Sequence, residues 1–222
     1  MRSSVRWSAR IRRQNTGSPN EIPLDAVQTT AYVAVRQYGD QTPGEESLCG
    51  QAVYRSLSKS GYYDIGASEN GFQIKYTPFE APVERSFDDV FFGEWLANPI
   101  AFGAFEGEKL LAYVEGSLES WSNRFRISNI CVFDEARRGR GIGTLLMAAI
   151  EGVAASLGAR MIVLETQSCN EAAIAFYRRN GYQIIGFELY AYSNADPERR
   201  EVRIEMGKKR ICAEKSVVSG EY

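Results

Sequence analysis

A segment rich in glycine and arginine, Arg137 to Thr144, lies between a run of β-forming residues and a strongly periodic helix. Its three glycines, Gly139, Gly141 and Gly143, stand at alternate positions. A helix N-terminus leaves backbone N–H groups unpaired, and glycines let a ligand approach those groups closely. The arginines add positive charge, so the segment predicts a site for an anion such as a pyrophosphate. A plain strand-to-helix turn with solvated arginines is the alternative.

Two familiar phosphate-binding loops do not fit this segment. A P-loop requires a Gly-Lys-Ser or Gly-Lys-Thr ending, which the segment lacks. The dinucleotide fingerprint Gly-x-Gly-x-x-Gly, counted from Gly139, would need a glycine where Thr144 stands. The loop also lies too late in the chain to open a doubly wound sheet. A different phosphate ligand is therefore expected.

The residues around the loop predict one α/β domain. Before the loop, alternating patterns and turn residues predict three antiparallel strands at Ile100–Phe105, Leu110–Leu118 and Phe125–Phe133. After it, apolar spacing predicts a helix that runs from Ile142 to Leu157 and stops at Gly158. The rest of the core is predicted as a short strand, a helix and two strands at Met161–Leu164, Asn170–Arg179, Gln183–Tyr190 and Glu201–Met206.

The N-terminal half carries weaker signals. A capping box at Thr42 and Glu45 predicts a helix that reaches Leu57 and ends before Gly61. Ser86 is expected to cap a second, short helix. The remaining predictions are a strand at Ala31–Val35, a strand at Phe72–Tyr76 within an otherwise looped segment 62–86, and an end of the second helix at Leu96 before Pro99.

Charge divides the chain into three parts. Residues 1–20 hold five arginines and no acid, which predicts a disordered basic leader. Residues 21–207 are expected to form the single domain, and residues 208–222 a polar tail. Removing those five arginines from the 26 basic residues leaves 21 against 28 acidic ones. An acidic body repels phosphate backbones and attracts cations, so a nucleic-acid partner is disfavoured.

Composition excludes several classes of protein. The chain contains no histidine, which rules out a Ser-His-Asp triad, a Cys-His dyad and a histidine-ligated metal. No apolar run approaches the roughly 20 residues needed to cross a bilayer, so we expect no membrane partner. The four cysteines are too widely spaced for zinc knuckles or a disulfide scaffold, which favours a reducing compartment, the cytoplasm.

The motif Arg138-x-x-Gly141-x-Gly143 resembles the acetyl-CoA signature of the GNAT acetyltransferases. A second segment, Asn170-x-x-Ala173-x-x-Phe176-Tyr177-x-x-x-Gly181-Tyr182, is similar to the second cofactor helix of that family. The resemblance implies a mixed, mostly antiparallel twisted sheet flanked by helices. It also implies that the fourth and fifth strands splay apart around acetyl-CoA, which serves as cosubstrate without a metal.

The resemblance also assigns residues to the donor. It implies that the pantetheine arm lies along Cys131, Val132 and Phe133. The pyrophosphate is implied at Arg138, Gly139, Arg140, Gly141, Ile142, Gly143 and Thr144, and further cofactor contacts at Asn170 and Phe176. Tyr177 is implied as the proton donor to the departing thiolate, with a merely packed aromatic as the alternative. We interpret Cys131 as a small core residue, not a nucleophile.

A narrower similarity, carried by Leu164-Glu165-Thr166-Gln167 and Tyr192-Ser193-Asn194, is to the streptothricin acetyltransferase branch. That branch often has an acid in the strand before the glycine loop, where this chain has Ser128-Asn129-Ile130. Glu165, at the end of an apolar strand, is the candidate to accept the amine proton, directly or through water, or else a structural carboxylate.

Three residues are candidates for a wall around a cationic substrate, the aromatic ones by cation–π contact and the acid by charge: Trp121, Glu188 and Tyr192. Ordinary packing is the alternative for the two aromatics, and simple solvation for the acid. The expected function is N-acetylation of a small cationic amine, most of all streptothricin. A protein lysine or N-terminal acetyltransferase and a noncatalytic acyl-CoA-binding module are the alternatives, and a homodimer stays open.

Overall fold

The computed structural model describes residues 21–23, 32–37, 51–58, 60–81, 83–91, 93, 95–107, 109–133 and 138–209. The strands are β1 Glu21–Pro23, β2 Tyr32–Gln37, β3 Gln51–Ser58, β4 Gly61–Ser68, β5 Gly71–Pro78, β6 Val83–Val90, β7 Ile100–Glu106, β8 Lys109–Glu119, β9 Arg124–Val132, β10 Met161–Gln167, β11 Gln183–Glu188 and β12 Arg203–Lys209. The helices are α1 Ile142–Ser156, α2 Glu171–Arg179 and α3 Asp196–Arg199.

Eight strands form one mixed sheet in the order β1-β2-β7-β8-β9-β10-β12-β11. Every neighbouring pair in it is antiparallel except β9 and β10, which run parallel because α1 connects them as a crossover. Helix α1 packs against the middle of the sheet, and α2 shares its buried core. The predicted fold class, a mostly antiparallel sheet flanked by helices, is confirmed.

The only parallel pair in the described part of the sheet separates after three residue pairs. Met161, Ile162 and Val163 face Arg124, Phe125 and Arg126, and no pairing continues beyond them. Strand β9 stays paired on its other side, with β8, as far as Val132. The two strands therefore splay apart, and one edge of β9 from Ile127 onward has no neighbour among the described strands.

Helix α1 forms because its apolar positions repeat every three or four residues. The buried stripe consists of Ile142, Leu146, Met147, Ile150 and Ala154. Gly158, in the left-handed conformation with φ of 75°, ends the helix as the sequence predicts. The stripe meets Phe125, Ile127 and Leu164 in the main core, which fixes the glycine loop above the splayed strands.

The C-terminal predictions agree closely with the structure. The three predicted strands before the loop are β7, β8 and β9, and the later ones are β10, β11 and β12. Both predicted core helices are present, and the early strand at Ala31–Val35 corresponds to β2. Strand β12 continues to Lys209, so Lys208 and Lys209 belong to the sheet and not to the predicted tail. The leader, residues 1–20, and residues 210–222 lie outside the described residues.

The two helices predicted in the N-terminal half are wrong where the structure describes them. Residues 51–57 of the first and 86–90 of the second lie in strands β3 and β6, which pair with each other over eight residues. Local capping signals favoured helices, but pairing between segments distant in sequence decided the structure. The capping box at Thr42 and Glu45 lies outside the described residues.

Segment 62–86 also contains more strand than predicted. Strands β4 and β5 form a hairpin of eight residue pairs, joined through Glu69 and Asn70. The predicted strand Phe72–Tyr76 is the centre of β5. Seven of the eight residues of β5 are exposed and the eighth is half-buried, although the sequence alternates the apolar Phe72, Ile74 and Tyr76 with polar residues, as is typical of a strand.

Candidate active site

The glycine loop leads directly into α1 and leaves the start of that helix open. Gly139 and Gly141 have φ angles of 77° and 86°, which side chains with a Cβ adopt at a cost. Gly141 is the N-cap residue, so no side chain caps the first N–H groups, and the first turn contains no acid. Residues 138–141 are exposed. A phosphate group is the ligand that such a helix end binds best.

The residues assigned to the donor line the gap between β9 and β10. Cys131 and Val132 are half-buried at the end of β9, and Phe133 follows with 41% of its side chain exposed. Since the edge of β9 that faces away from β8 has no neighbour among the described strands here, its main chain can bond a ligand as a further strand would. The gap opens toward the glycine loop, so one extended ligand can contact both.

Phe176 joins the two halves of the predicted motif. A Cβ on Gly143 would lie 3.0 Å from the Phe176 ring, which shows how closely α2 approaches the first turn of α1. Asn170 begins α2, and its side-chain oxygen accepts a bond from the Ala173 N–H at 3.3 Å. The glycine loop and the start of α1 therefore lie next to α2, which Asn170 caps and which carries Phe176.

Tyr177 lies buried beside Cys131 and remains a proton donor at neutral pH. Burial, with a smaller contribution from Cys131, raises the pKa of Tyr177 to about 12. Burial likewise raises the pKa of the Cys131 thiol to about 11, although the nearby Arg138 opposes the change. Cys131 is thus a protonated thiol, in agreement with its interpretation as a non-nucleophile.

Glu165 takes part in a network of charges that crosses five strands. Its carboxylate lies 3.5 Å from Arg203 and 3.9 Å from Arg126, and it accepts a bond from the Tyr192 hydroxyl at 3.4 Å. Leu164 packs in the main core, so Glu165 points to the other face of the sheet. Within the described residues, no contact joins Glu165 to Tyr177.

The three candidate substrate residues lie along the same network. Arg203 bonds Glu188, which is 53% exposed, and connects it to Glu165. Tyr192 reaches Glu165 directly, whereas Trp121 lies at the far end, with Arg124 5.5 Å from its ring centre. The complete network holds four carboxylates and three guanidinium groups: Glu119, Glu165, Glu188, Glu205, Arg124, Arg126 and Arg203.

Sequence reasoning missed Glu115, a fully buried carboxylate on β8. It accepts hydrogen bonds from the Tyr113 hydroxyl and from Asn129 Nδ2, both at 2.8 Å. The sequence did contain a signal for a buried, paired acid, because Glu115 directly follows the apolar run Leu110–Val114. A carboxylate in such a strand is costly to bury without hydrogen-bond partners. The partner on β9 is 14 residues away along the chain, where no local pattern reveals it.

The profile of the Acetyltransferase (GNAT) family matches residues 69–182, just over half of the chain. The chain belongs to the GNAT acetyltransferase family. It is therefore an acyltransferase, and acetyl-CoA is the donor that this family uses. The match covers the glycine loop, the splayed strands and α2. The described residues contain no group of three potential metal ligands, and no described helix is long and apolar enough to span a membrane.

Relatives of this GNAT chain include two named streptothricin acetyltransferases. The protein from Streptomyces lavendulae is 26% identical over 180 residues, 77% of this chain and 93% of the relative. The protein from Escherichia coli is 26% identical over 132 residues, 59% of this chain and 72% of the relative. The predicted similarity to this branch therefore rests on more than the short motifs.

Two solved structures share the fold. A nourseothricin acetyltransferase has a TM-score of 0.60 and 24% identity, with coverage of 80% of this chain and 98% of its own. A Bacillus anthracis protein, assigned as a streptothricin acetyltransferase and crystallised with acetyl coenzyme A, has a TM-score of 0.57 and 24% identity. It covers 80% of this chain and 97% of its own. At these identities, both structures support the fold alone.

Proposed function

We propose that the protein transfers the acetyl group of acetyl-CoA to a primary amine of a small cationic molecule, an antibiotic of the streptothricin type. The β-lysine amine is the proposed acceptor, and its acetylation removes a positive charge. The separation of β9 from β10 below the uncapped start of α1 carries the proposal, because it combines an anion site with an edge for an extended thioester. The names of the two curated relatives support the acceptor.

The donor is proposed to bind along one continuous path. Its pyrophosphate accepts bonds from the N–H groups of residues 138–144, where Arg138 and Arg140 add positive charge. Its pantetheine arm bonds the free edge of β9 at Cys131, Val132 and Phe133. Phe176 packs against Gly143 and so keeps α2 next to the arm. Asn170 fixes the start of α2.

Transfer is proposed to be direct, without a covalent enzyme intermediate. The neutral amine attacks the thioester carbonyl carbon, a C–N bond forms, and the C–S bond breaks. The departing sulfur takes the proton of the Tyr177 hydroxyl, which its raised pKa keeps in place until that moment. The proton released by the amine leaves through water or Glu165, and a proton from solvent returns to Tyr177.

The charge network is proposed to attract the acceptor. Its carboxylates outnumber its guanidinium groups by one, and Glu188 and Tyr192 are exposed at its edge. Trp121, with 82% of its side chain exposed, offers a face for cation–π contact. A reaction in the cytoplasm is part of the proposal and is supported by the free thiol of Cys131.

The test is an assay of thiol release from acetyl-CoA with a panel of acceptors: streptothricin, an aminoglycoside, a polyamine and a lysine peptide. We expect streptothricin to give the highest kcat/KM, and added salt to lower that value because it screens the attraction of the cation. Efficient acetylation of the lysine peptide with no reaction of streptothricin would replace the proposed acceptor by a protein. Acetyl-CoA binding without any transfer would indicate a noncatalytic module.

A further inference from the structure

Strand β9 carries a bulge just beyond the point where it leaves β10. Gly116 faces Ile127 on β9, but the next residue of β8, Glu115, faces Asn129. Ser128 is therefore the extra residue of the bulge, two positions after Arg126, the last residue of β9 paired with β10. Bulges of this kind redirect side chains, and this one lies at the closed end of the gap between β9 and β10.

The hydroxyl of Ser128 is an unsatisfied group. Its Oγ is buried and has no hydrogen-bond partner among the described residues. Buried hydroxyls almost always have a partner, since an unsatisfied one costs free energy. An unsatisfied polar atom beside a substrate gap indicates that a ligand supplies the missing bond.

The neighbouring Asn129 is held in one orientation by Glu115. A carboxylate only accepts hydrogen bonds, so the Asn129 amide must present its NH₂ group to Glu115 and its oxygen Oδ1 away from it. The Tyr113 hydroxyl occupies the other carboxylate oxygen and fixes Glu115 in turn. In the described part of the chain, the Nδ2 bond is the one hydrogen bond of the Asn129 side chain.

Asn129 also lies on the same face of the sheet as the end of the donor path. Tyr113 and Glu115 are two residues apart on β8 and face Cys131 and Asn129 on β9, so all four side chains share one face. Cys131 is close enough to Tyr177 to influence its pKa. The hydroxyl of Ser128 and the amide oxygen of Asn129 are thus two hydrogen-bond acceptors near the proposed position of the thioester.

We propose that Ser128 and Asn129 form the subsite for the attacking primary amine, and that Glu115 is the positioning residue that fixes it. An amine that attacks a carbonyl must direct its lone pair at carbon, and its N–H groups then need acceptors on the other side. Ser128 Oγ and Asn129 Oδ1 supply two. Glu115 touches neither the amine nor the donor and acts through the orientation of Asn129. The inference rests on the proposed N-acetyltransferase function.

Ser128 and Ser168 provide a matched test. Ser128→Ala removes a hydroxyl without a partner, so we expect an unchanged or higher Tm together with a fall of about fivefold or more in kcat/KM for the acceptor. Ser168→Ala removes a hydroxyl that bonds the Arg200 carbonyl oxygen at 2.7 Å, so we expect a lower Tm and an unchanged kcat/KM for the acceptor. Full acceptor kcat/KM in Ser128→Ala would overturn the role of Ser128.

The Asn129 orientation is tested by moving the charge. Asn129→Leu should lower acceptor kcat/KM by about tenfold to a hundredfold and leave the KM for acetyl-CoA unchanged, because one acceptor is lost. Asn129→Asp sets two carboxylates side by side and should lower both Tm and activity. Adding Glu115→Gln to Asn129→Asp restores a carboxylate–amide pair across β8 and β9, and should recover acceptor kcat/KM at least tenfold over Asn129→Asp.

The comparison uses whichever amine of the panel the wild-type protein acetylates fastest, so a wrong antibiotic assignment does not affect it. A wild-type protein that acetylates no amine overturns the proposed function and this subsite together. Activity on an amine with equal acceptor kcat/KM in wild type and Asn129→Leu overturns the subsite alone. The same holds if acceptor kcat/KM follows only the Tm across all variants.

Discussion

Gly141 is the N-cap residue of α1 and has a φ of 86°. Its replacement by glutamate should have a small effect on the stability of the fold and a large effect on the binding of the donor. A Cβ at this position meets no atom within 4 Å, and the cost is limited to the left-handed backbone, about 1–2 kcal/mol. An acid at a helix N-terminus returns about 0.3–1 kcal/mol through the helix dipole. We therefore expect Gly141→Glu to lower the Tm by no more than about 6 °C.

Donor binding should respond much more strongly. At a concentration one hundred times its Kd, acetyl-CoA should stabilise the wild-type protein by about 2.7 kcal/mol, which raises the Tm by roughly 5–10 °C. The carboxylate of Gly141→Glu would occupy and repel the pyrophosphate site. The increase in Tm with acetyl-CoA should therefore disappear in this variant.

Gly152 provides a matched control for the same substitution on the same helix. It lies in the middle of α1, is exposed, and a Cβ there also meets no atom within 4 Å. Gly152→Glu should stabilise the protein by about 0.5–1 kcal/mol and keep the full response to acetyl-CoA. The measurement is thermal unfolding with and without acetyl-CoA, supported by calorimetry. Wild-type affinity in Gly141→Glu would refute the assignment of the loop.

Three further predictions concern titratable groups. Tyr177→Phe should lower kcat about 10²- to 10⁴-fold with little change in acetyl-CoA affinity, and unchanged kcat when chemistry limits the rate would make Tyr177 a packing residue. Because the folded pKa of Tyr177 is raised from 10.0 to about 12, its contribution to stability is complete below pH 10 and should fall by about 1.4 kcal/mol per pH unit as the pH rises from 10 to 12. Urea unfolding should show a smaller loss over this pH range in Tyr177→Phe than in wild type, because the remaining groups with raised pKa values, Cys131, Tyr182 and Tyr192, contribute in both proteins. Glu165→Gln should lower activity at neutral pH, with partial recovery at higher pH. The control Glu205→Gln removes another carboxylate beside the same Arg126 and should not change the pH profile of activity. Equal pH profiles for the two variants would make Glu165 a structural residue.

Local signals explain which parts of the fold were predictable. The start of α1 at Ile142, its end at Gly158 and the second helix, predicted over Asn170–Arg179, are each determined by a few consecutive residues, and the structure agrees with them to within a residue. Strands β3 and β6 are determined by their pairing with each other, across more than 20 residues, so local capping patterns misled the prediction. The splay of β9 and β10 came from the family resemblance and not from any residue pattern.

The candidate site also contains parts that local sequence determines and parts that depend on strand pairing. The donor half consists of two short motifs, each local in sequence, so residues 138–144 and the segment of α2 were predicted as candidates from the sequence. The side chains around Glu165 come from separate strands, since Arg126 lies on β9, Arg203 on β12 and Tyr192 beyond β11. The contact between Glu115 and Asn129 likewise crosses two strands. Cross-strand contacts depend on register, which a single sequence without a solved topology does not reveal.

The donor residues and the residues proposed for the acceptor lie on different elements, so one set can change without the other. The tip of the β4–β5 hairpin reaches β11, where the rings of Phe72 and Phe187 lie 5.1 Å apart, next to Glu188. Phe72 is 61% exposed. Substitutions on this side can alter which cation is attracted while the helix end, the free edge of β9 and Tyr177 keep their geometry. In the proposed reaction, the donor half therefore determines the chemistry, and contacts between separate strands, which the sequence alone did not predict, determine the acceptor.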